Sequence, residues 1–442
     1  MKAVLTEGPV GKTLIKLTIP MMVGLVGMII FNLVDVFFIG RYGTMELAAL
    51  SFTFPVVILI TSLALGVGVG VAAAVSRAVG EKDKDHLRRL TTDSLILSIV
   101  IGAVFVVIGI TTIRPVFSAL GASEEVLRLI RSYMIIWYPG MFFIVIPMVG
   151  NNAIRALGDT VTPSVIMMIA VLLNIVLDPL MIFGIKPFPR MGLAGAALAT
   201  LIARAATLFF SLWVLVVREK LITLKRTSWA EILRSWEEVL FIGLPTAATR
   251  AIIPVATAVI TRMLATYGPE AVAAFGVAAK IEFFAMVFVF ALASVVGPFI
   301  GQNLGANKPE RVRKCVKYSE DTSLIWGIGV FILLALFSRP LGGLFSNNSE
   351  VIRRTTQYLR IVPVGYAMYG IMTVSVATLN VIKKPYHSSM IMIIQMFVLY
   401  VPLAMICEKF FGVIGIFMAL SIAYIIGGTI GHRVLRREMS LI

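Results

Sequence analysis

Two cysteines and three histidines are all that this 442-residue chain has of the residues that cross-link a fold or change charge near neutral pH unperturbed. Two cysteines, Cys315 and Cys407, cannot build the disulfide framework of a small secreted protein. His86, His387 and His432 lie far apart in sequence, and no paired DDxxD-type acidic motif accompanies them. An enzyme with a metal or nucleophile constellation is therefore disfavoured, and no cofactor is expected. Charge is scarce too, at 14% of residues, where a soluble chain carries about a quarter. Acids are the scarcest charged group, with 23 Asp and Glu against 39 Lys and Arg.

Apolar residues take up the difference, making up 59% of the chain with a mean hydropathy of +0.96. A bilayer span needs about 20 mostly apolar residues, because backbone groups in hydrocarbon must be satisfied within the helix. Twelve such stretches are expected near 15–38, 50–76, 92–113, 129–150, 161–184, 193–217, 237–261, 272–301, 318–337, 358–381, 388–407 and 412–432. Runs such as Leu95 to Ile110 lack the period-two alternation of an outer-membrane barrel, so the fold class is all-α integral membrane. The first stretch is too long for a signal peptide, contains Asp35 and lacks a small-residue cleavage pattern. Gly8-Pro-Val-Gly-Lys-Thr13 resembles a phosphate loop only superficially, since its glycines are too close and no strand precedes it.

The basic excess of +16 would suggest nucleic acid on a soluble chain. Here it sorts by side. With the N-terminus inside, the N-terminal tail with Lys2, the even-to-odd loops, the middle loop with Arg226 and the C-terminal tail hold more than twice the cations of the opposite side. That is the positive-inside bias, and it places both termini in the cytoplasm of a cell inner membrane, with lipid and not nucleic acid as partner. Cys315 and Cys407 then sit near opposite faces and cannot bridge.

An offset of 225 positions aligns Pro20 with Pro245, Tyr42-Gly43 with Tyr267-Gly268, Ala48-Ala49 with Ala273-Ala274 and Gly80 with Gly305, without a gap. Further on, with a slightly smaller offset, Pro179 faces Pro402 and Gly192-x-x-Gly195 faces Gly412-x-x-Gly415. The chain is thus two six-helix lobes in tandem: 1–217, a cytoplasmic interlobe linker 218–236, and 237–442. Six is even, so the lobes are expected to be related by an axis along the membrane normal, an arrangement in which transporters bind substrate between halves and expose it to each side in turn. The linker, with Trp229 and Trp236, reads either as an amphipathic helix on the inner leaflet or as a solvated connector.

Against this background three acids lie well inside the spans: Asp35, Asp178 and Glu282. An intramembrane carboxylate costs several kcal/mol unless neutralised or paired, so it marks an ion or substrate path by default. Asn32 precedes Asp35 by three residues, and Asn174 precedes Asp178 by four, so each pair shares a helix face. In the second lobe Asp35 is matched by Ile260, Asn174 by Phe397, Asp178 by Val401 and Thr200 by Leu420. The fold alone therefore does not require these polar groups, and a cation or proton site of Asp35, Asn174, Asp178 and Thr200 is expected. Oxygen ligands suit Na⁺ and neighbouring carboxylates suit H⁺, so the coupling ion stays open. Pro20 lets helix one bend and turn ion binding into movement, whereas Pro245, with no acid nearby, reads as a plain kink. Glu282 lies near Lys280 in sequence, with Arg250 deep in helix seven, and is expected either in an interhelical ion pair or facing substrate. Arg204, four residues beyond Thr200, balances an acid or snorkels; Arg360 snorkels. Met286, Phe283, Phe284, Met168 and Phe31 are candidate apolar surfaces for varied ligands.

Together these residues resemble the multidrug and toxic compound extrusion family. The likeness runs through Ile19-Pro20 to Asp35-Val-Phe-Phe-Ile-Gly40, Arg155-Ala-Leu-Gly-Asp-Thr160 with Thr162-Pro163, Gly192 to Thr200, and Pro298-Phe-Ile-Gly-Gln-Asn-Leu-Gly305. The resemblance implies export of amphipathic, often cationic compounds in exchange for Na⁺ or H⁺, by a monomer of two six-helix lobes. It matches Asp35, Asn174, Asp178 and Thr200 to the N-lobe cation site of the DNA-damage-inducible branch, and Pro20 to its hinge. Another branch uses the acid matched by Glu282 with a second acid in helix ten, and this chain has none between Arg360 and Asn380. The alternative is a flippase for a lipid-linked oligosaccharide or lipid-like substrate. Asp35 and Asp178 speak against it, while Arg250, Lys280 and Arg204 keep it open.

Overall fold

The computed structural model describes residues 4–225 and 228–441, so Lys2 and Arg226 lie outside the described residues. Among the described residues, twelve helices are long and apolar enough to cross a membrane: α1 Val10–Tyr42, α2 Thr44–Glu81, α3 Lys84–Ala119, α4 Glu124–Ala156, α5 Val161–Phe183, α6 Leu193–Arg218, α7 Trp229–Ala265, α8 Pro269–Gly305, α9 Pro309–Phe345, α10 Ser349–Val381, α11 Pro385–Phe411 and α12 Val413–Met439. There is no strand among the described residues. The all-α integral membrane fold is therefore as the sequence implies.

Most helices run past their apolar stretches. The α9 helix begins at Pro309, well before the expected 318, because hydropathy registers only the part suited to hydrocarbon. Its first turns, with Arg311, Arg313 and Lys314, are helical but charged. Local signals set the ends. Proline occupies the first position of α8, α9 and α11, where its missing N–H costs nothing. Asp83 caps α3 by accepting from His86 N at 2.9 Å, and Asn348 caps α10 by accepting from Glu350 N at 2.9 Å. Ser228 and Glu231 satisfy each other's backbone at the start of α7, a capping box.

Packing divides the chain inside two helices. One unit is Val23–Ala247; the other joins the chain up to Met22 with Ala248 onward. The two division points are related by the repeat offset, and Pro20 and Pro245 precede them by two residues each. In the first unit the opening half of α7 lies tight on α2. A Cβ on Gly66 would sit 2.5 Å from the Gly243 carbonyl oxygen, and one on Gly70 would strike the Val239 carbonyl. Only small residues permit helices that close. In the other unit the chain's start is gripped by α8 and α9: Leu5 N donates to Gln302 at 3.1 Å, and Arg311 donates to the carbonyls of Gly8, Leu5 and Glu7.

The segment 219–225 is not helical and follows α3. Arg88 donates to Lys220 O at 2.9 Å, Thr223 N to Thr92 at 3.0 Å, and Trp236 Nε1 to Asp93 O at 2.9 Å. Of the two readings of the linker, its first part is a connector held along a helix, and the part from Trp229 is the start of α7.

Candidate functional site

Three helices of the Val23–Ala247 unit converge on Asp35. Gly24 and Gly27 lie about a turn apart on α1, where a Cβ would fall 2.9 Å from the Ser164 hydroxyl and 2.9 Å from the Met168 sulfur of α5. The absence of side chains there brings α1 against α5. The α6 helix is drawn in likewise, since a Cβ on Gly195 would fall 2.5 Å from the Met181 carbonyl oxygen. The connection before it turns at Gly192, whose φ of +56° favours glycine.

This framework presents four of the expected polar groups to one another. Asn174 Nδ2 donates to Asp35 Oδ1 and to Asp178 Oδ1, both at 3.1 Å, and Thr200 Oγ1 donates to Asp35 Oδ2 at 3.4 Å. Asn174 and Asp178 have no exposed surface. Arg204 lies one turn beyond Thr200 on α6, its guanidinium carbon 4.5 Å from the centre of the Phe31 ring. It stands within electrostatic reach of Asp35.

Hydrogen bonding at the site is incomplete, and the Arg204 Nε is also buried without a partner. One amide nitrogen serves two carboxylates, while the buried Asn174 Oδ1 and Asp178 Oδ2 receive no hydrogen bond. Unmade bonds to buried oxygens carry a desolvation cost that a proton or cation relieves. Two carboxylates against one guanidinium leave a formal single negative charge, which a monovalent cation or one proton balances. Carboxylate, amide and hydroxyl oxygens suit a hard cation such as Na⁺. No group of three His, Cys, Asp or Glu able to hold a metal occurs among the described residues.

Other candidates fall elsewhere. Asn32 is exposed and donates to Met28 O of its own helix at 3.0 Å. Glu282 on α8 accepts from Tyr358 of α10 and from Tyr424 of α12, the latter at 2.7 Å. The expected ion pair with Lys280 or Arg250 is absent among the described residues, and both cations are exposed. Lys280 is two residues from Glu282, on another side of the helix. Phe31 and Met286 are buried in packing, so neither offers a ligand surface, while Phe283 and Phe284 are exposed.

Sequence reasoning missed the tyrosines. Tyr133 on α4 is buried within electrostatic reach of Asp35 and Asp178. The repeat aligns it with Tyr358, a signal that could have drawn both out.

The Arg155 to Thr160 motif has a local task. Asp159 accepts from Thr162 N at 2.9 Å and from its hydroxyl, and forms an ion pair with Arg218 at the end of α6. Burial works against the Asp159 charge, but the hydrogen bonds from Thr162 and Arg218 outweigh it and hold the carboxyl below its usual range.

The MatE family model matches the chain twice, over residues 20–180 and 245–406, each match starting at one of the repeat-related prolines. A FAD transporter of Shewanella oneidensis is 36% identical over 424 residues, covering 96% of this chain and 94% of its own. The multidrug export protein MepA of Staphylococcus aureus is 26% identical, over 94% of this chain and 91% of its own. Among solved structures, the Vibrio cholerae MATE transporter VcmN in the bent form superposes with a TM-score of 0.92 at 27% identity, covering 98% of this chain and 97% of that one. A MOP superfamily transporter from Pyrococcus furiosus, described as having a binding pocket of reverse polarity, gives 0.90 at 27% identity, over 99% and 98%.

Proposed function

This chain belongs to the MatE family of membrane transporters, and on that premise we propose that it is a secondary active exporter of amphipathic organic compounds, driven by H⁺ or Na⁺ through Asp35, Asn174, Asp178 and Thr200. The observation that carries the coupling reading is a pair of carboxylates that share one amide nitrogen, with two buried oxygens left without a donor. An ion that binds there relieves the cost of intramembrane charge, so the conformations that hold and release it differ in energy. Pro20 supplies a place for α1 to change, since it lacks the N–H that would bond one turn back. That VcmN has been captured in a bent form supports a hinge in this family. The basic loops support cytoplasmic termini in a cell inner membrane, and a coupling site complete within one unit supports a monomer.

MepA, a multidrug export protein, supports a broad range of cationic and amphipathic substrates. The FAD transporter, at 36% identity over nearly the whole chain, favours a second reading in which the cargo is a flavin nucleotide and hence anionic. Proteoliposome efflux separates the two, with pH and Na⁺ gradients imposed one at a time and either a cationic dye or FAD as cargo. The first reading expects gradient-driven dye efflux that Asp35→Asn reduces to the unenergised level. FAD efflux without dye efflux supports the second, and dye efflux unchanged by Asp35→Asn overturns the coupling assignment.

A further inference from the structure

At the end of α9 and the start of α10 lies a cation cluster apart from the proposed coupling site. Arg339, Arg353 and Arg360 line a cavity of about 520 Å³, together with Ser349, Thr356 and Gln357. On α10 these positions recur at three- and four-residue spacing, so one face of the helix is polar.

The internal repeat identifies what is unusual about it. Arg339-Pro340 aligns without a gap with Arg114-Pro115, Glu350 with Glu125, Arg353 with Arg128 and Tyr358 with Tyr133. In the first half Arg114 is paired with Glu124 at 3.1 Å. The position of that acid is Ser349 in the second half, and the position of Ile135 is Arg360. Arg354 also replaces Leu129, while Thr356 replaces Arg131, so the net change is one acid lost and one cation gained. The acid that remains, Glu350, is taken by Arg353 and Arg354, each at 2.6 Å. Arg360 donates its Nε to Ser338 at 3.0 Å, which leaves its terminal nitrogens free. No acid pairs with Arg339 or Arg360 among the described residues.

We propose that this cavity is an anion site for a phosphate group, monoester or diester. Guanidinium groups match the oxygens of phosphate two at a time, and the hydroxyls of Ser349 and Thr356 with the Gln357 amide supply neutral donors for the remaining ones. The flank of α9 beside Arg339 carries the exposed side chains Leu336, Phe337, Leu344 and Phe345. A phospholipid headgroup can therefore reach the cavity from the bilayer, and a soluble phosphate compound can reach it from water.

Native mass spectrometry of the detergent-purified full chain tests this with three probes: phosphatidylglycerol, phosphatidylcholine and inorganic pyrophosphate. The wild type is expected to retain phosphatidylglycerol or pyrophosphate in preference to phosphatidylcholine. The double variant Arg339→Gln/Arg360→Gln is expected to lower that affinity about tenfold, the loss of roughly one charge-assisted contact. Ser349→Glu restores the acid that the first half has, and is expected to weaken binding similarly while leaving the helices intact by circular dichroism. Arg114→Gln, at an arginine already paired, is expected to leave binding unchanged. Retention of the lipid alone identifies a headgroup and retention of pyrophosphate alone a soluble ligand; either supports the site. No preference for an anionic probe, equal binding by wild type and Ser349→Glu, or a matching loss in Arg114→Gln overturns it.

Discussion

The two units bury acids in opposite ways. In Val23–Ala247, Asp35 and Asp178 share one amide nitrogen, and buried oxygens of Asp178 and Asn174 are left without donors. In the other unit Glu282 receives a hydroxyl on each carboxylate oxygen, from Tyr358 and Tyr424. Those hydroxyls are fixed by their rings: Tyr424 stacks on Tyr369 at 4.2 Å, and Tyr358 stands edge-on to Phe417 at 5.0 Å. Burial of an acid is therefore a poor marker of an ion path by itself. Two neighbouring carboxylates with unpartnered oxygens set the proposed ion site apart from a polar node that joins α8, α10 and α12.

The largest effect expected from this contrast comes from exchanging acid for amide on each side. Asp178→Asn removes a charge and an unpartnered carboxylate oxygen, and gradient-driven efflux in proteoliposomes is expected to fall to the unenergised level with the protein still folded. Glu282→Gln is expected to keep efflux close to wild type but to cost about 1–3 kcal/mol of stability, because the new amide nitrogen faces hydroxyls placed to donate. Thermal unfolding in detergent reads the second effect. If Glu282→Gln instead abolished coupling and Asp178→Asn spared it, the assignment of roles to the two units would be reversed.

Smaller changes sharpen the contrast. Tyr424→Phe takes one donor from Glu282, and about 1 kcal/mol of stability should go with it while transport stays unchanged. Thr200→Ala removes a bond of only 3.4 Å to Asp35. It should scarcely alter unfolding but should weaken the apparent affinity for the coupling ion about two- to fivefold, the equivalent of roughly 0.5–1 kcal/mol. A fall in stability without a change in ion affinity would make Thr200 a packing residue like Tyr424.

How much of this was legible follows from the range over which each signal acts. The twelve spans could be read because hydropathy accumulates over some twenty neighbouring residues, and their ends could not, because the charged first turns of α9 are helical without being apolar. Asn174 and Asp178 were found together because four residues on one helix fix a shared face. Asp35 stood out as an acid inside a span, and Thr200 joined the others only through its apolar counterpart in the repeat. The donors of Glu282 were hidden because they come from helices 76 and 142 residues away in the chain. No local spacing encodes such a meeting. The near neighbour Lys280 does not pair with Glu282, because residues two apart on a helix point to different sides.

Asp159 represents a third way to keep an acid, and the smallest expected effect. Its charge is held by Thr162 and by the Arg218 guanidinium, outside the membrane spans, where water shares the work. Because these bonds lower its value in the folded chain, the unfolded chain takes up a proton first as the pH falls. The contribution is whole at neutral pH and is lost as the pH drops through the lowered value. Asp159→Asn should therefore reduce stability near pH 7 by less than about 1 kcal/mol, as for other partly exposed pairs. Thermal unfolding of the two proteins should converge below the usual carboxylate range. A difference that persisted in acid would mean that Asp159 acts through the hydrogen bond to Thr162 at the start of α5, which an amide oxygen preserves only in part, and not through its charge. In that event Asp159 would differ from Asp35 and Asp178, the proposed ion site, in that its geometry and not its charge matters.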